Sequence, residues 1–290
     1  MKIVLAIIIS FSKLPMKVLY LLSDVIFVLN YYFIGYRTKV VSENIKNSFP
    51  EKTDEERKKI EKKFFRNFFD YIVETLKSLT VSDTELRVRM QHINQHLFQE
   101  AKDEGKNIIF LTGHVFNWEW MTVLAKIIPQ EHCHPVYRKA NNEFWNQQII
   151  KIRNRFGNQS LEAGDVLKHI FRNQNDGNSA YMFVADQSPA EAHINTGTMF
   201  LNQKTPVFIG YDKLATRMDL AFIYCEMKKV KRGFYQVNYY RIYSDDEKFK
   251  EFELVSKFHQ LLENTIKKQP DNYLWTHRRW KYADSVKQMF

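Results

Sequence analysis

Hydrophobic and polar positions change period several times along the chain, and the changes mark out its elements. Uncharged runs cover Ile3 to Ser12, Val18 to Ser23 and Val25 to Tyr36, broken by Lys13, Pro15, Lys17 and Asp24. None of them reaches the roughly 18 to 20 apolar residues of a clean transmembrane helix. Two apolar helices lying in a headgroup region, with Lys13, Lys17, Arg37 and Lys39 against anionic lipid, explain the pattern best. The alternatives are a single span over 18–36 that tolerates Asp24, or an ordinary helical subdomain on the core. A signal peptide would need a small-x-small cleavage site after the first run, and none follows.

From Thr53 to Leu79 the period becomes helical, with Asp54, Glu55 and Glu56 at its start and Phe64, Phe65, Phe68, Phe69 and Ile72 along one stripe. A second helix is predicted over 83–104. Short apolar runs then read as strands at 107–112, 135–137, 180–185, 205–209, 220–226 and 234–243. Helical stretches at 118–127, 142–156, 163–173 and 248–268 fall between or after them. This alternation predicts an α/β fold, a layered mixed or mostly parallel sheet flanked by helices. The expected organisation is an amino-terminal apolar segment, 1–40, followed by a single domain, 41–290. No internal repeat, low-complexity tract or long linker interrupts it.

Candidate chemistry begins where the strand at 107–112 ends in Gly113 and a turn. His114 and Glu119 follow, with Asn117 placed to cap a helix beginning at Trp118. On one continuous helix the two side chains would stand about 140° apart and could not meet. With His114 in the turn and Glu119 in the first helical turn, the carboxylate can reach back to the imidazole. A carboxylate on one ring nitrogen fixes the tautomer and makes the other a better base, which removing a hydroxyl proton requires. Asp186, at another strand end, could take or share that orienting role. Arg138 follows an apolar strand and would put a forked donor at the mouth of the sheet, suited to phosphate. For Arg138, Asp186 and Gln187 the bland alternative is a structural polar cluster.

Composition narrows the partners. The 290 residues carry a formal charge of +10, which calls for an anionic partner such as a membrane surface or an acidic protein. The 23 Phe and 15 Tyr lie mostly in apolar runs, and no nucleic-acid motif is present. Cys133 and Cys225 offer no disulfide framework. His132-Cys133-His134 has no second ligand pair at zinc-site spacing, so no metal site is expected. There is no Gly-x-Ser-x-Gly elbow and no activated cysteine, which disfavours a covalent acyl-enzyme. Lys228-Lys229-Val230-Lys231-Arg232 reads as a solvated hairpin that could also help dock an acidic carrier protein.

The turn Gly113-His114-Val115-Phe116-Asn117-Trp118-Glu119 resembles the His-x4-Asp/Glu motif of the lysophospholipid acyltransferase superfamily, specifically its bacterial lipid A biosynthesis acyltransferase branch. Ser48-Phe49-Pro50 with Glu55-Glu56-Arg57, Tyr137-Arg138-Lys139-Ala140-Asn141-Asn142, Ala185-Asp186-Gln187 and Trp275-Thr276-His277-Arg278-Arg279-Trp280 resemble further blocks of that branch, in family order. Phe116 departs from it, since many relatives carry glycine there, and a bulky ring could reshape the acceptor pocket. The resemblance implies acyl transfer from an acyl-acyl carrier protein thioester to a hydroxyl of a lipid A precursor. It implies His114 and Glu119 as catalytic residues and Arg138, Asp186, Gln187, Arg278 and Arg279 as substrate-binding ones. It implies no metal or tightly bound cofactor, and places the reaction at the cytoplasmic face of a bacterial inner membrane. The alternatives are transfer to another glycolipid or lipid-linked acceptor, a thioester hydrolase, or a non-catalytic basic module on anionic membranes. For the Trp275–Trp280 stretch the bland alternative is a surface strand with solvated arginines.

Overall fold

The computed structural model describes residues 2–139, 142–189 and 194–290, with side chains from residue 5 onward. Ala140 and Asn141 of the Tyr137–Asn142 stretch lie outside the described residues. Helices α1 (Lys2–Ser12), α2 (Met16–Leu29), α3 (Thr38–Ser48) and α4 (Asp54–Lys77) open the chain. Helix α4 starts where the sequence places it, because Thr53 and Glu56 form a reciprocal capping box: Glu56 N donates to Thr53 Oγ1 and Thr53 N donates to Glu56 Oε2. Of its apolar stripe Phe64, Phe65 and Phe69 are buried and Phe68 is half-buried, while Ile72 is exposed; a second row at helical spacing, Asn67, Asp70 and Glu74, is buried beside it.

Helix α2 runs on through a π-helical turn, Asn30–Ile34, to a left-handed Gly35, so that 16–34 form one continuous helical stretch of 19 residues. That stretch is long and apolar enough to cross a membrane, although no single uncharged run within it is. Asp24 lies inside it and is neutralised: Arg232 reaches Asp24 at 2.8 Å and Asp70 of α4 at 2.6 Å. Leu19, Ser23 and Phe27 face α4 and are buried, whereas Leu21, Val25, Leu29, Phe33 and Ile34 stand exposed. The apolar amino-terminal segment is therefore docked along one face and bare along the other.

The predicted helix over 83–104 is broken in three. Helix α5 (Asp83–Arg89) gives way to strand β1 (Met90–Ile93) before α6 (His96–Asp103), because Met90 and His92 are buried where β1 completes the sheet edge. The remaining elements are β2 (Ile108–Thr112), a 3-10 helix (Trp118–Lys126) where an α-helix was expected, β3 (His132–Tyr137), α7 (Glu143–Asn154), β4 (Leu161–Glu162), α8 (Val166–Arg172) and β5 (Ser179–Val184). They continue as β6 (Thr196–Phe200), β7 (Gln203–Pro206), α9 (Gly210–Ala215), β8 (Ala221–Lys231), β9 (Phe234–Ile242), α10 (Glu253–Lys268) and β10 (Gln288–Met289).

Seven strands form one sheet in the order β1-β9-β8-β2-β5-β3-β4, parallel throughout except for the β8–β9 hairpin. All five residues of β2, at its centre, are buried, which is why that run is uninterruptedly apolar. Strands β10, β6 and β7 make a separate small sheet, so the strand predicted at 205–209 is displaced and belongs outside the main layer. The hairpin tip is largely solvated as expected, with Lys228, Val230, Lys231 and Arg232 exposed, but it also reaches back onto the amino-terminal helices. Lys229 contacts Asn67 at 2.6 Å, and Arg232 is shared between α2 and α4, while Lys228 remains exposed.

Candidate active site

Parallel pairing decides which distant residues meet. Strands β2, β5 and β3 are neighbours, with Thr112 opposite Val184 and His134 opposite Tyr181, so their carboxyl ends open on one edge of the sheet. Such crevices are where open α/β sheets bind ligands. His114 lies two residues beyond β2, Asp186 two beyond β5, and Arg138 directly after β3. His114, Arg138 and Gln187 line an open cleft of about 250 Å³ there, with Val136, Phe183 and Phe208 on its apolar walls.

His114 Nδ1 lies 2.5 Å from Asp186 Oδ1, and its Nε2 lies 2.9 Å from Gln187 Nε2. With the proton on Nδ1 held by the carboxylate, Nε2 presents a lone pair, which accepts from the Gln187 amide. Asp186 is almost wholly buried, and burial pushes its carboxyl up. The charge and hydrogen bond of His114, helped by the charge of Arg279, outweigh that and hold it well below the usual carboxylate range. Arg279 is itself buried and donates Nη1 to Ser188 Oγ at 2.8 Å, two residues beyond Asp186. Arg278 is exposed, and the stretch Trp275–Trp280 is a series of turns, not a surface strand.

The turn that carries His114 is pinned from behind. Leu274 N donates to His114 O at 3.1 Å, Phe116 N to Asn272 O at 2.9 Å, and Asn272 Nδ2 to Phe116 O at 2.8 Å. Gly113 lets the turn pack closely on α10: a Cβ there would stand 2.5 Å from Leu262 Cδ1, so that side chain would have to shift. Asn117 caps the 3-10 helix as expected, accepting from Glu119 N at 3.1 Å.

The expected pairing of Glu119 with His114 does not form. Trp118 packs its ring edge against His114, with centroids 4.8 Å apart, and donates its indole N–H to Glu119 Oε1 at 3.1 Å. It thus stands between the two. Glu119 instead clasps Arg153 of α7, with Nε to Oε2 at 3.1 Å and Nη2 to Oε1 at 2.6 Å. Burial pushes the Glu119 carboxyl up, and the Arg153 charge and hydrogen bonds more than offset this, leaving it low and ionised. Of the two carboxylates weighed from sequence, Asp186 has the imidazole and Glu119 has a cation.

Phe116 does not enter the cleft. Its fully buried ring stacks on Tyr71 at 5.0 Å and Trp118 at 5.7 Å, binding the turn to α4. Two residues of the site's surroundings had not been singled out. Arg153 lines the cleft beside His114. Glu74 lies wholly buried behind the turn and accepts from Asn117 Nδ2 at 2.9 Å and from the Tyr20 and Tyr235 hydroxyls at 2.8 Å each. Its signal was the polar row at 67, 70 and 74 on an otherwise apolar helix face. Arg153 gave no sequence signal beyond a basic residue in the last turn of a helix. Elsewhere, His132 and His134 share a face of β3 with rings 6.2 Å apart, and His169 meets His134 at 5.0 Å. Among the described residues no group of three His, Cys, Asp or Glu side chains is disposed to hold a metal ion.

The family model for bacterial lipid A biosynthesis acyltransferases matches residues 1–282. The chain belongs to that family. It is accordingly an O-acyltransferase of lipid A biosynthesis. The acyltransferase is 22% identical over 278 residues to the lipid A biosynthesis palmitoleoyltransferase of Escherichia coli (strain K12), covering 93% of this chain and 87% of the relative. It matches the lipid A biosynthesis acyltransferase of Shigella flexneri to the same extent, 22% over 278 residues, 93% and 87%.

Proposed function

We propose that the acyltransferase moves a fatty acyl chain directly from an acyl-acyl carrier protein thioester to a hydroxyl of a lipid A precursor, with His114 as general base. The observation that carries this reading is the Asp186–His114–Gln187 row at the mouth of the sheet, which leaves a lone pair on Nε2 facing an open cleft. The acceptor hydroxyl takes the place of the Gln187 amide at Nε2 and gives up its proton there. Its oxygen bonds to the thioester carbonyl carbon, the C–S bond breaks, and the departing thiolate recovers the proton from His114. Asp186 holds the imidazole in the required tautomer and stabilises the imidazolium while it lasts. Gln187, released from Nε2, becomes a donor for substrate oxygen. Arg138, exposed at the rim with Nη1 on Ser188 O at 3.1 Å, meets a phosphate, and the exposed Arg278 adds to the positive charge of the surface.

The formal charge of +10 suits an acidic carrier protein and an anionic lipid surface. The bare apolar side of α2, ending in Phe33 and Ile34 with Arg37 and Lys39 next in sequence, suits seating on the cytoplasmic face of a bacterial inner membrane. The test is mass spectrometry of total lipids from cells with and without the protein, complemented by wild type or His114→Ala. A lipid A species that loses one acyl chain, restored only by wild type, is the expected result. Equal restoration by His114→Ala refutes the mechanism, and a shift in a different lipid would reassign the acceptor.

A further inference from the structure

Glu119 grips only one edge of the Arg153 guanidinium. Nε and Nη2 are engaged by its two oxygens, while Nη1 has no hydrogen-bond partner among the described residues. Arg153 nevertheless lines the cleft that contains His114, and its side chain is only 18% exposed. A guanidinium has five N–H donors in a rigid plane, so a carboxylate on the Nε edge leaves a second fork, Nη1 with Nη2, aimed along the fixed plane. The pairing is made within one wall: Glu119 from the 3-10 helix after the catalytic turn, Arg153 from the last turn of α7. A cation needed only to balance Glu119 would have no reason to line a substrate-sized cleft with one edge unengaged.

We propose that Arg153 is a binding site for an anionic oxygen of the substrate, and that Glu119 is the positioning residue that holds it, not the partner of His114. The site rests on the acyl-transfer reading above. An anionic oxygen arises from two sources in such a reaction. One is a phosphate on the acceptor, and the other is the charge that develops on the thioester carbonyl oxygen as the tetrahedral adduct forms. Other residues lining the cleft agree with either: Arg138 supplies a second cation, and Gln187 an amide donor. Lysine at 153 would keep the charge beside Glu119 but lose the fork.

The experiment compares the full-length wild type, Arg153→Lys and Glu119→Gln in two measurements, steady-state transfer and calorimetric titration with inorganic phosphate. Arg153→Lys is expected to lower kcat/KM on the order of a hundredfold, the scale of one lost preorganised donor. If the oxygen belongs to a phosphate, the loss falls on the acceptor KM, vanishes with a dephosphorylated acceptor, and phosphate affinity drops at least tenfold. If it is the carbonyl oxygen, kcat falls on both acceptors and phosphate affinity does not change. Glu119→Gln should give a weaker version of the same defect, on the same side of the kcat-against-KM split as Arg153→Lys. Folded Arg153→Lys with kcat, both KM values and phosphate binding at wild-type levels overturns the site. Wild type that transfers nothing but binds phosphate through Arg153 would defeat the acyl-transfer reading and leave the site standing. Wild type that does neither defeats both.

Discussion

Replacing Asp186 by asparagine isolates the carboxylate's work from its shape. In the wild type, Oδ1 sits 2.5 Å from His114 Nδ1 and accepts its proton, with 2% of the residue exposed. Asparagine is isosteric but uncharged, and it can turn its amide N–H₂ toward Nδ1. That favours the other tautomer, with the proton on Nε2, where the acceptor hydroxyl's proton has to go. The imidazolium formed during transfer also loses its anion in a site where water cannot replace it. General-base catalysis contributes about 10²- to 10⁴-fold, equivalent to about 3–5 kcal/mol of barrier, and nearly all of it should disappear. The assay is transfer of a labelled acyl chain by purified protein, with near-ultraviolet circular dichroism as the control for folding. Stability has a sign of its own. The Asp186 carboxyl is depressed in the folded protein, so its contribution is complete above the unfolded-state pKa of about 3.9 and is lost as pH falls through the lower folded value. Wild type should therefore lose more stability than Asp186→Asn below about pH 4. Activity of a folded Asp186→Asn within about threefold of wild type would refute the reasoning, since it falls far short of the range above.

Glu74→Ala strands three donors, on the buried Asn117 and Tyr235 and the half-buried Tyr20, and should cost on the order of 3 kcal/mol in chemical denaturation; a loss below about 1 kcal/mol would show that water satisfies them. Phe116→Ala removes a fully buried ring from the stack with Tyr71 and Trp118, and should cost about 3–5 kcal/mol while leaving acceptor preference unchanged. A changed acceptor spectrum in a stably folded variant would contradict that. Phe33→Glu, at a position 78% exposed, should weaken co-sedimentation with anionic vesicles by at least about tenfold without altering thermal stability, and unchanged binding would place the lipid contact elsewhere.

Much of this protein was legible from local pattern. The α4 helix followed from its acidic first turn and phenylalanine stripe, the central strand β2 from a buried apolar run, and the α/β layering from the alternation of periods. His114 stood out because a turn after a buried strand exposes a side chain, and Asn117 because helix starts need an acceptor. Each is decided by residues a few positions apart, where chain geometry leaves little choice. The pairings were not of that kind. His114 and Asp186 are 72 residues apart and meet because β2 and β5 are parallel neighbours, while Glu119 is held off by the ring of Trp118 and taken up by Arg153, 34 residues on. Strand β1 interrupts a helical-looking stretch only because β9 offers it an edge, and Asp24 is acceptable in an apolar helix only because Arg232 comes from the far hairpin. A carboxylate's partner depends on which cation or imidazole the fold brings within about 3 Å, since charge-assisted bonds act over that distance and no longer. That choice belongs to strand order and packing, which local sequence does not specify.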